Sequence, residues 1–101
     1  MNEYVLKLFI TGQTPRAQSA IDHISRICEE RLPGRSQVIV VDVLEDPQSA
    51  EDERIIATPT LIKMMPPPLR RIIGDLSDTE KVLIGLDLPV HDHTARQEPS
   101  A

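Results

Sequence analysis

The sequence predicts a single α/β domain in which short strands and helices alternate around one β-sheet. Three observations predict this class: two apolar runs rich in Ile, Leu and Val, a long amphipathic segment between them, and a second half of short apolar runs separated by prolines. A chain of 101 residues is long enough for one compact domain. We place that domain at residues 1–90 and predict a mobile tail at residues 91–101, where apolar periodicity ends.

The first half predicts a strand, a helix and a second strand. Residues 4–10 form a nearly continuous apolar run, as expected for a central strand covered on both faces. Thr14 and Pro15 suit the N-cap and first position of a helix, and apolar residues then recur at three- and four-residue steps to about residue 32. Residues 38–43 predict the second strand. A helix that joins neighbouring strands in this way makes them parallel.

The second half predicts a short helix followed by two strands. Residues 46–56 are rich in acidic side chains, which are favourable near the positive end of a helix dipole. Pro47 near their start suits the first turn of a helix. Residues 61–65 and 69–73 predict two antiparallel strands, separated by a rigid bend of three consecutive prolines.

The last element has an ambivalent pattern. Ser77 and Glu80 are spaced as a capping box ahead of residues 81–88, which favours a final helix. Ile84 and Gly85 lower helix propensity, and the same run could serve as a strand.

Composition argues against several functional classes. The formal net charge is −5 and no basic face is evident, so nucleic acid is not an expected partner. The beginning of the sequence lacks the regions of a signal peptide, and no apolar run approaches the ~20 residues of a membrane span. We therefore expect a cytoplasmic protein that does not contact membranes.

The predicted order of elements is that of thioredoxin, but the redox chemistry is missing. Cys28 is the single cysteine, so an internal disulfide, a Cys-x-x-Cys pair and a cysteine zinc cluster are excluded. Residues 11–14 occupy the loop where an oxidoreductase would place its cysteines. Cys28 falls on the apolar face of the first helix and is expected to be an inert core residue. Thr58-Pro59 precedes the third predicted strand, where this fold commonly has a cis-proline.

We expect no catalytic residues, cofactor or metal. The alternative is a thioredoxin-fold oxidoreductase or a glutathione-dependent enzyme, which would need a thiolate or bound glutathione. His91 and His93 form a His-x-His pair, but the predicted tail offers no fixed third ligand.

Four stretches of the sequence resemble the KaiB family of clock proteins. They are LKLFITGQTP at residues 6–15, ATPTL at 57–61, PPPLRRIIGDLS at 66–77 and EKVLIGLDL at 80–88. The similarity extends over about residues 4–88. The stretch that begins with three prolines is far more specific than a general thioredoxin pattern.

The resemblance implies a metamorphic protein whose N-terminal half persists while its C-terminal half refolds. It implies a ground-state homotetramer with the order βαββααβ, and a monomer with the thioredoxin-like order βαβαββα that binds a KaiC-like ATPase. The implied function is non-enzymatic: a clock or signalling protein that modulates the phosphorylation and ATPase cycle of its partner. The positions implied in the fold switch are Tyr4, Ile84, Gly85 and Asp87.

The resemblance also implies a surface for the ATPase. The matching residues in the second helix and the cis-proline segment are Arg54, Ile55, Ala57, Thr58, Pro59 and Lys63. In cyanobacteria the family also captures KaiA along its second strand. Residues 17–21 and 38–41 lack the basic residues expected beside that edge, and a long acidic tail is missing. These departures argue against a KaiA partner, and therefore against a true circadian oscillator, and favour a KaiC-only timer or a stress-response adaptor as alternatives.

Gly85 and Asp87 are both expected to oppose the end of a final helix. Glycine in a helix interior costs roughly 0.5–1 kcal/mol relative to alanine. A carboxylate near the negative end of the dipole costs about 0.3–1 kcal/mol. Replacing Gly85 by Ala and Asp87 by Arg is therefore expected to favour the thioredoxin-like monomer.

Overall fold

The computed structural model describes residues 3–88 and has the predicted thioredoxin-like order of elements. Its elements are β1 (Tyr4–Ile10), α1 (Pro15–Arg31), β2 (Ser36–Asp42), α2 (Pro47–Asp52), β3 (Thr60–Met65), β4 (Arg70–Ile73) and α3 (Thr79–Gly85). The predicted tail at residues 91–101, with its His91 and His93 pair, lies outside the described residues. No helix within residues 3–88 combines the length and apolar character needed to cross a membrane.

The four strands form one mixed sheet in the order β2-β1-β3-β4. The central strand β1 pairs in parallel with β2, where Leu8 lies opposite Val40, and antiparallel with β3, where Leu8 lies opposite Leu61. Strands β3 and β4 are antiparallel, with Leu61 opposite Ile72. The predicted central position of β1, the parallel pair and the antiparallel pair are all confirmed.

One cluster of buried aliphatic side chains holds the two halves of the chain together. The cluster draws its side chains from β1, α1, β3 and α3, and its members include Leu6, Leu8, Ile10, Ala17, Ala20, Ile24, Ile27, Cys28, Leu61, Val82, Leu83 and Leu86. The α1 members recur at steps of three and four, as predicted for its buried face. Cys28 is 4% exposed and is confirmed as a core residue.

Helix α2 is shorter than the predicted segment 46–56. It begins after Asp46, whose carboxylate accepts hydrogen bonds from the backbone N–H and the hydroxyl of Ser49. It ends because Arg54 adopts a left-handed conformation, with φ of 55°. The Arg54 N–H donates to the Glu51 carbonyl and the Ile55 N–H donates to the Ala50 carbonyl, which is the pattern of a Schellman cap.

The final element is a helix, and its cap differs from the predicted one. Asp78, not Ser77, is the N-cap residue, and its carboxylate accepts from the Lys81 N–H. The Ser77 hydroxyl instead donates to Asp75, so it is not free to cap α3. The capping box predicted from Ser77 and Glu80 is therefore wrong. A polar side chain does cap the helix, but it is that of Asp78, one residue later.

Helix α3 ends in a second Schellman cap. Asp87 has a φ of 61°, its N–H donates to the Ile84 carbonyl, and the Leu88 N–H donates to the Leu83 carbonyl. Leu83 and Leu88 are both buried, as the apolar contact of this motif requires. Glycine is the residue that favours this backbone position, because a Cβ is strained there. Both helices of the second half thus end on a non-glycine residue in the left-handed region.

Candidate functional site

The cis-proline segment lies where the ends of three strands meet. The Thr58-Pro59 bond is cis, as the thioredoxin order suggested. The hydroxyls of Thr58 and Thr11 share a hydrogen bond of 2.7 Å, which joins this segment to the loop after β1. On the other side the Gly74 N–H donates to the Pro59 carbonyl at 3.0 Å. Pro59 itself is buried, so its neighbours carry the exposed chemistry.

Residues 54–58 form an exposed strip between α2 and the cis-proline. Arg54 and Ala57 are exposed, and Ile55 and Thr58 are half-buried. Ile56 is 85% exposed, the largest value among the exposed large apolar side chains of residues 3–88. The Arg71 guanidinium donates to the Glu53 carbonyl at 3.0 Å and fixes the start of the strip against β4. The strip therefore exposes the aliphatic side chain of Ile56 and the cation of Arg54. Its backbone is held by the Arg71 hydrogen bond at one end and by the Thr58 hydrogen bond at the other.

Ile56 is absent from the set of residues that sequence reasoning selected. The sequence offers no cue, because Ile55 and Ile56 are adjacent and identical. The distinction comes from the Schellman cap, which places Ile55 directly after the left-handed residue and partly buries it. Ile56, one residue further along, is exposed.

Lys63 is separate from the strip. It lies on β3 opposite Leu6 of β1, on the same face as Leu61, and its side chain is only 2% exposed. The structure therefore brings five of the six predicted partner-binding residues together at positions 54–59. The side chain of Lys63 is buried in this packing and is not part of the exposed strip.

The loop after β1, residues 11–14, carries no cysteine. Its Gly12 has a φ of 74° and donates its N–H to Asp42 at 2.9 Å, and the same carboxylate oxygen accepts from the Leu44 N–H. Burial raises the pKa of the Cys28 thiol, so the reactive thiolate is disfavoured. The position that carries redox chemistry in thioredoxins is here a structural loop.

The four predicted fold-switch positions lie at the two ends of the described chain. Tyr4, at the start of β1, packs against the core, and the Arg35 guanidinium lies 5.5 Å from its ring centroid. Ile84 is 64% exposed on the outer side of α3. As predicted, Gly85 and Asp87 lie where the final helix ends.

Gly85 also makes a close contact that its helix propensity does not reveal. A Cβ at this position would lie 2.7 Å from Cδ1 and 2.9 Å from Cγ1 of Ile72 on β4. Such distances are shorter than van der Waals contact, so the missing side chain lets α3 approach the edge of the sheet. An alanine at this position would force the Ile72 side chain to shift, so packing as well as helix propensity bears on the choice of glycine.

Comparison with known proteins identifies the family. Residues 7–88 match the family model of the KaiB domain. The chain belongs to the KaiB family of circadian clock proteins. A KaiB-family relative from Synechocystis sp., named circadian clock protein KaiB3, is 60% identical over 88 residues, which are 87% of this chain and 86% of the relative. The circadian clock oscillator protein KaiB of Microcystis aeruginosa is 52% identical over 97 residues, covering 96% and 93% of the two chains.

Solved structures confirm the thioredoxin-like fold of this KaiB-family chain. The solution structure of the N-terminal domain of Synechococcus elongatus SasA matches with a TM-score of 0.70 at 22% identity, covering 100% of this chain and 91% of that domain. Mitochondrial thioredoxin 3 of Saccharomyces cerevisiae matches with a TM-score of 0.67 at 18% identity, covering 85% and 78%. At these identities the likeness concerns the fold alone.

Proposed function

We propose that this chain is a non-enzymatic clock protein that binds a KaiC-like ATPase in the cytoplasm and modulates its phosphorylation and ATPase cycle. The observation that carries the proposal is the exposed strip at residues 54–58, in a chain that matches the KaiB domain over residues 7–88. The strip coincides with the segment that the KaiB resemblance assigns to the ATPase.

The chemistry of the strip suits a protein partner. An isoleucine that is 85% exposed leaves apolar surface in water, and burying it at an interface recovers roughly 1.5–3 kcal/mol. Arg54 beside it supplies a cation whose planar donors favour a carboxylate or carbonyl partner. An apolar anchor next to an arginine is a common centre of protein interfaces.

A binding assay with a purified KaiC-like ATPase tests this surface. Ile56→Asp is expected to weaken binding at least about tenfold, and Arg54→Glu by a comparable factor, because both remove exposed chemistry of the strip and add a negative charge to it. Leu69→Asp and Arg26→Glu are matched controls, since both residues are exposed outside the strip. Lys63→Glu is unsuitable, because a carboxylate at a buried position would disturb the fold itself.

The two outcomes separate clearly. Loss of binding in the strip variants, with full binding in the controls and unchanged thermal stability, supports the proposal. If the wild-type chain does not bind the ATPase, or if both strip variants bind as tightly as the wild type, the proposed surface is wrong.

We extend the proposal to a fold switch of the second half, from a βαββααβ homotetramer at rest to a thioredoxin-like monomer when bound. Support comes from local features that weaken the second half: α3 has only seven residues, and Arg54 and Asp87 hold strained left-handed caps. Size-exclusion chromatography with and without the ATPase tests this step. A single monomeric species under both conditions would contradict it.

The proposal assigns no partnership with KaiA and no thiol chemistry. Strand β2, with the sequence SQVIVVD, carries no lysine or arginine that could meet an acidic partner along that edge. An insulin-reduction assay that shows turnover abolished by Cys28→Ser would favour the oxidoreductase alternative instead. The buried thiol predicts no turnover.

A further inference from the structure

A cleft of about 480 Å³ lies between α1, the cis-proline and the loop that joins β4 to α3. Its volume falls within the range of roughly 300–1,000 Å³ that is usual for small-molecule sites. Of the residues assigned to the ATPase surface, Pro59 alone is among those that line this cleft. Apolar surface from Ala20, Leu76 and Pro59 lines it together with a few polar groups.

One wall of the cleft is a stripe of α1. Arg16, Ser19, Ala20 and His23 line it, and their spacing places them on one face of the helix. Arg16 and His23 are seven residues apart, or about 10.5 Å along the axis. The His23 Nε2 is hydrogen bonded to the Thr79 hydroxyl at 3.2 Å, which fixes the ring. Within residues 3–88 the Arg16 side chain has no hydrogen bond or ion pair, so its guanidinium donors are available to a ligand.

The opposite wall carries a fixed acceptor. One oxygen of Asp75 accepts the Ser77 N–H at 2.9 Å and the Ser77 hydroxyl at 2.6 Å. These two bonds hold the carboxylate in place and lower its pKa, so Asp75 is ionised at neutral pH. Its second oxygen has no hydrogen bond to any residue of the described range. The charge of Arg16 also helps to lower the pKa of Asp75, so the cleft pairs an arginine with a negatively charged acceptor.

We propose that this cleft binds a small organic anion that carries hydroxyl groups. The anionic group pairs with the forked donors of Arg16, which match a carboxylate or a phosphate, and the hydroxyls donate to Asp75. A bare anion lacks donors for Asp75 and is repelled by its charge, whereas a neutral polyol gains nothing from Arg16. Selectivity for a ligand with both features follows from the two walls together.

A ligand bound in the cleft also stabilises the packing of the chain that contains the cleft. Its walls come from α1 and from the loop before α3, so a chain whose second half is packed differently lacks the site. A ligand at 100 times its Kd raises the ratio of the cleft-containing packing to any other by about 100-fold. This consequence rests on the proposed fold switch, but the binding itself does not.

An NMR titration of the ¹⁵N-labelled chain with glycerol 3-phosphate tests the proposal, with glycerol and inorganic sulfate, an anion that carries no O–H donor at neutral pH, as parallel titrants at equal ionic strength. We expect saturable shifts of the Ser19, Ala20 and Ser77 amides with glycerol 3-phosphate. Arg16→Gln is expected to raise the Kd at least about tenfold. Arg26→Gln, also on α1 but outside the cleft, is expected to leave the Kd unchanged.

A second variant tests the role of the opposite wall. Asp75→Asn removes the charge that repels a bare anion, so it is expected to lower the Kd for inorganic sulfate and to reduce the ratio between the Kd values for sulfate and glycerol 3-phosphate. Equal Kd values for glycerol 3-phosphate and inorganic sulfate in the wild type, no saturable shifts at the cleft, or an unchanged Kd in Arg16→Gln would overturn the proposal. Binding of the KaiC-like ATPase by Arg16→Gln is a separate readout, so this site and the proposed function can fail independently.

Discussion

Replacing Gly85 by alanine tests whether packing or helix propensity dominates at the end of α3. Alanine gains about 1 kcal/mol of helix propensity over glycine. Its Cβ, however, would lie 2.7 Å and 2.9 Å from two side-chain carbons of Ile72. Overpacking of this kind costs about 1–3 kcal/mol. We therefore expect Gly85→Ala to lower the free energy of unfolding by up to about 2 kcal/mol, even though it improves the helix.

A double-mutant cycle isolates the contact. Ile72→Ala removes both carbons, so Gly85→Ala in that background is expected to raise the free energy of unfolding by about 1 kcal/mol. The coupling energy between the two positions should then be about 1–3 kcal/mol, measured by urea unfolding of the four proteins followed by circular dichroism. A coupling below about 0.5 kcal/mol would refute the reasoning, because it would mean that propensity alone decides this position.

Three further predictions concern the caps, the carboxylates and the thiol. Asp87→Gly is expected to raise the free energy of unfolding by about 1 kcal/mol, because glycine relieves the left-handed strain; Glu80→Gly, inside α3, should lower it. Hydrogen bonds from Ser49 and Ser77 lower the pKa values of Asp46 and Asp75 below the usual 3.8. The two ionised carboxylates therefore stabilise the folded chain fully above pH 3.8, and this stabilisation is lost as the pH falls through their lower folded-state pKa values. The free energy of unfolding, measured in urea, should fall more steeply with acid in the wild type than in the double variant Asp46→Asn with Asp75→Asn. The Cys28 thiol should react with a thiol reagent at least about tenfold more slowly in the native chain than in urea, and equal rates would place it at the surface.

Most of the fold follows from local rules. The apolar run of β1, the Thr14-Pro15 start of α1 and the three-residue and four-residue periodicity of α1 each depend on neighbours in sequence. These rules place the parallel β1 and β2 pair correctly. The family could also be recognised, because long stretches such as PPPLRRIIGDLS match without any reference to three-dimensional contacts.

The exposed strip was only partly predictable. Arg54, Ile55, Ala57 and Thr58 came from the resemblance, whereas Ile56 was missed because exposure depends on where the chain leaves α2. That exit is set by hydrogen bonds to the Glu51 and Ala50 carbonyls, which no residue pattern specifies. Lys63 shows the opposite case. A lysine is expected from its charge to be exposed to solvent, but its position on β3 within the sheet buries it.

The sequence by itself determined the order of the elements, the absence of a redox cysteine pair and the family, because periodicity, composition and motif identity are properties of the chain alone. Tertiary structure decided the close approach of Gly85 to Ile72, the burial of Lys63 and the cleft between Arg16 and Asp75. Each of these features depends on residues that are not neighbours in the sequence. Their distances are fixed by how the helices pack on the sheet and how the strands pair. Van der Waals contact and burial act through space, and local propensity carries no information about them.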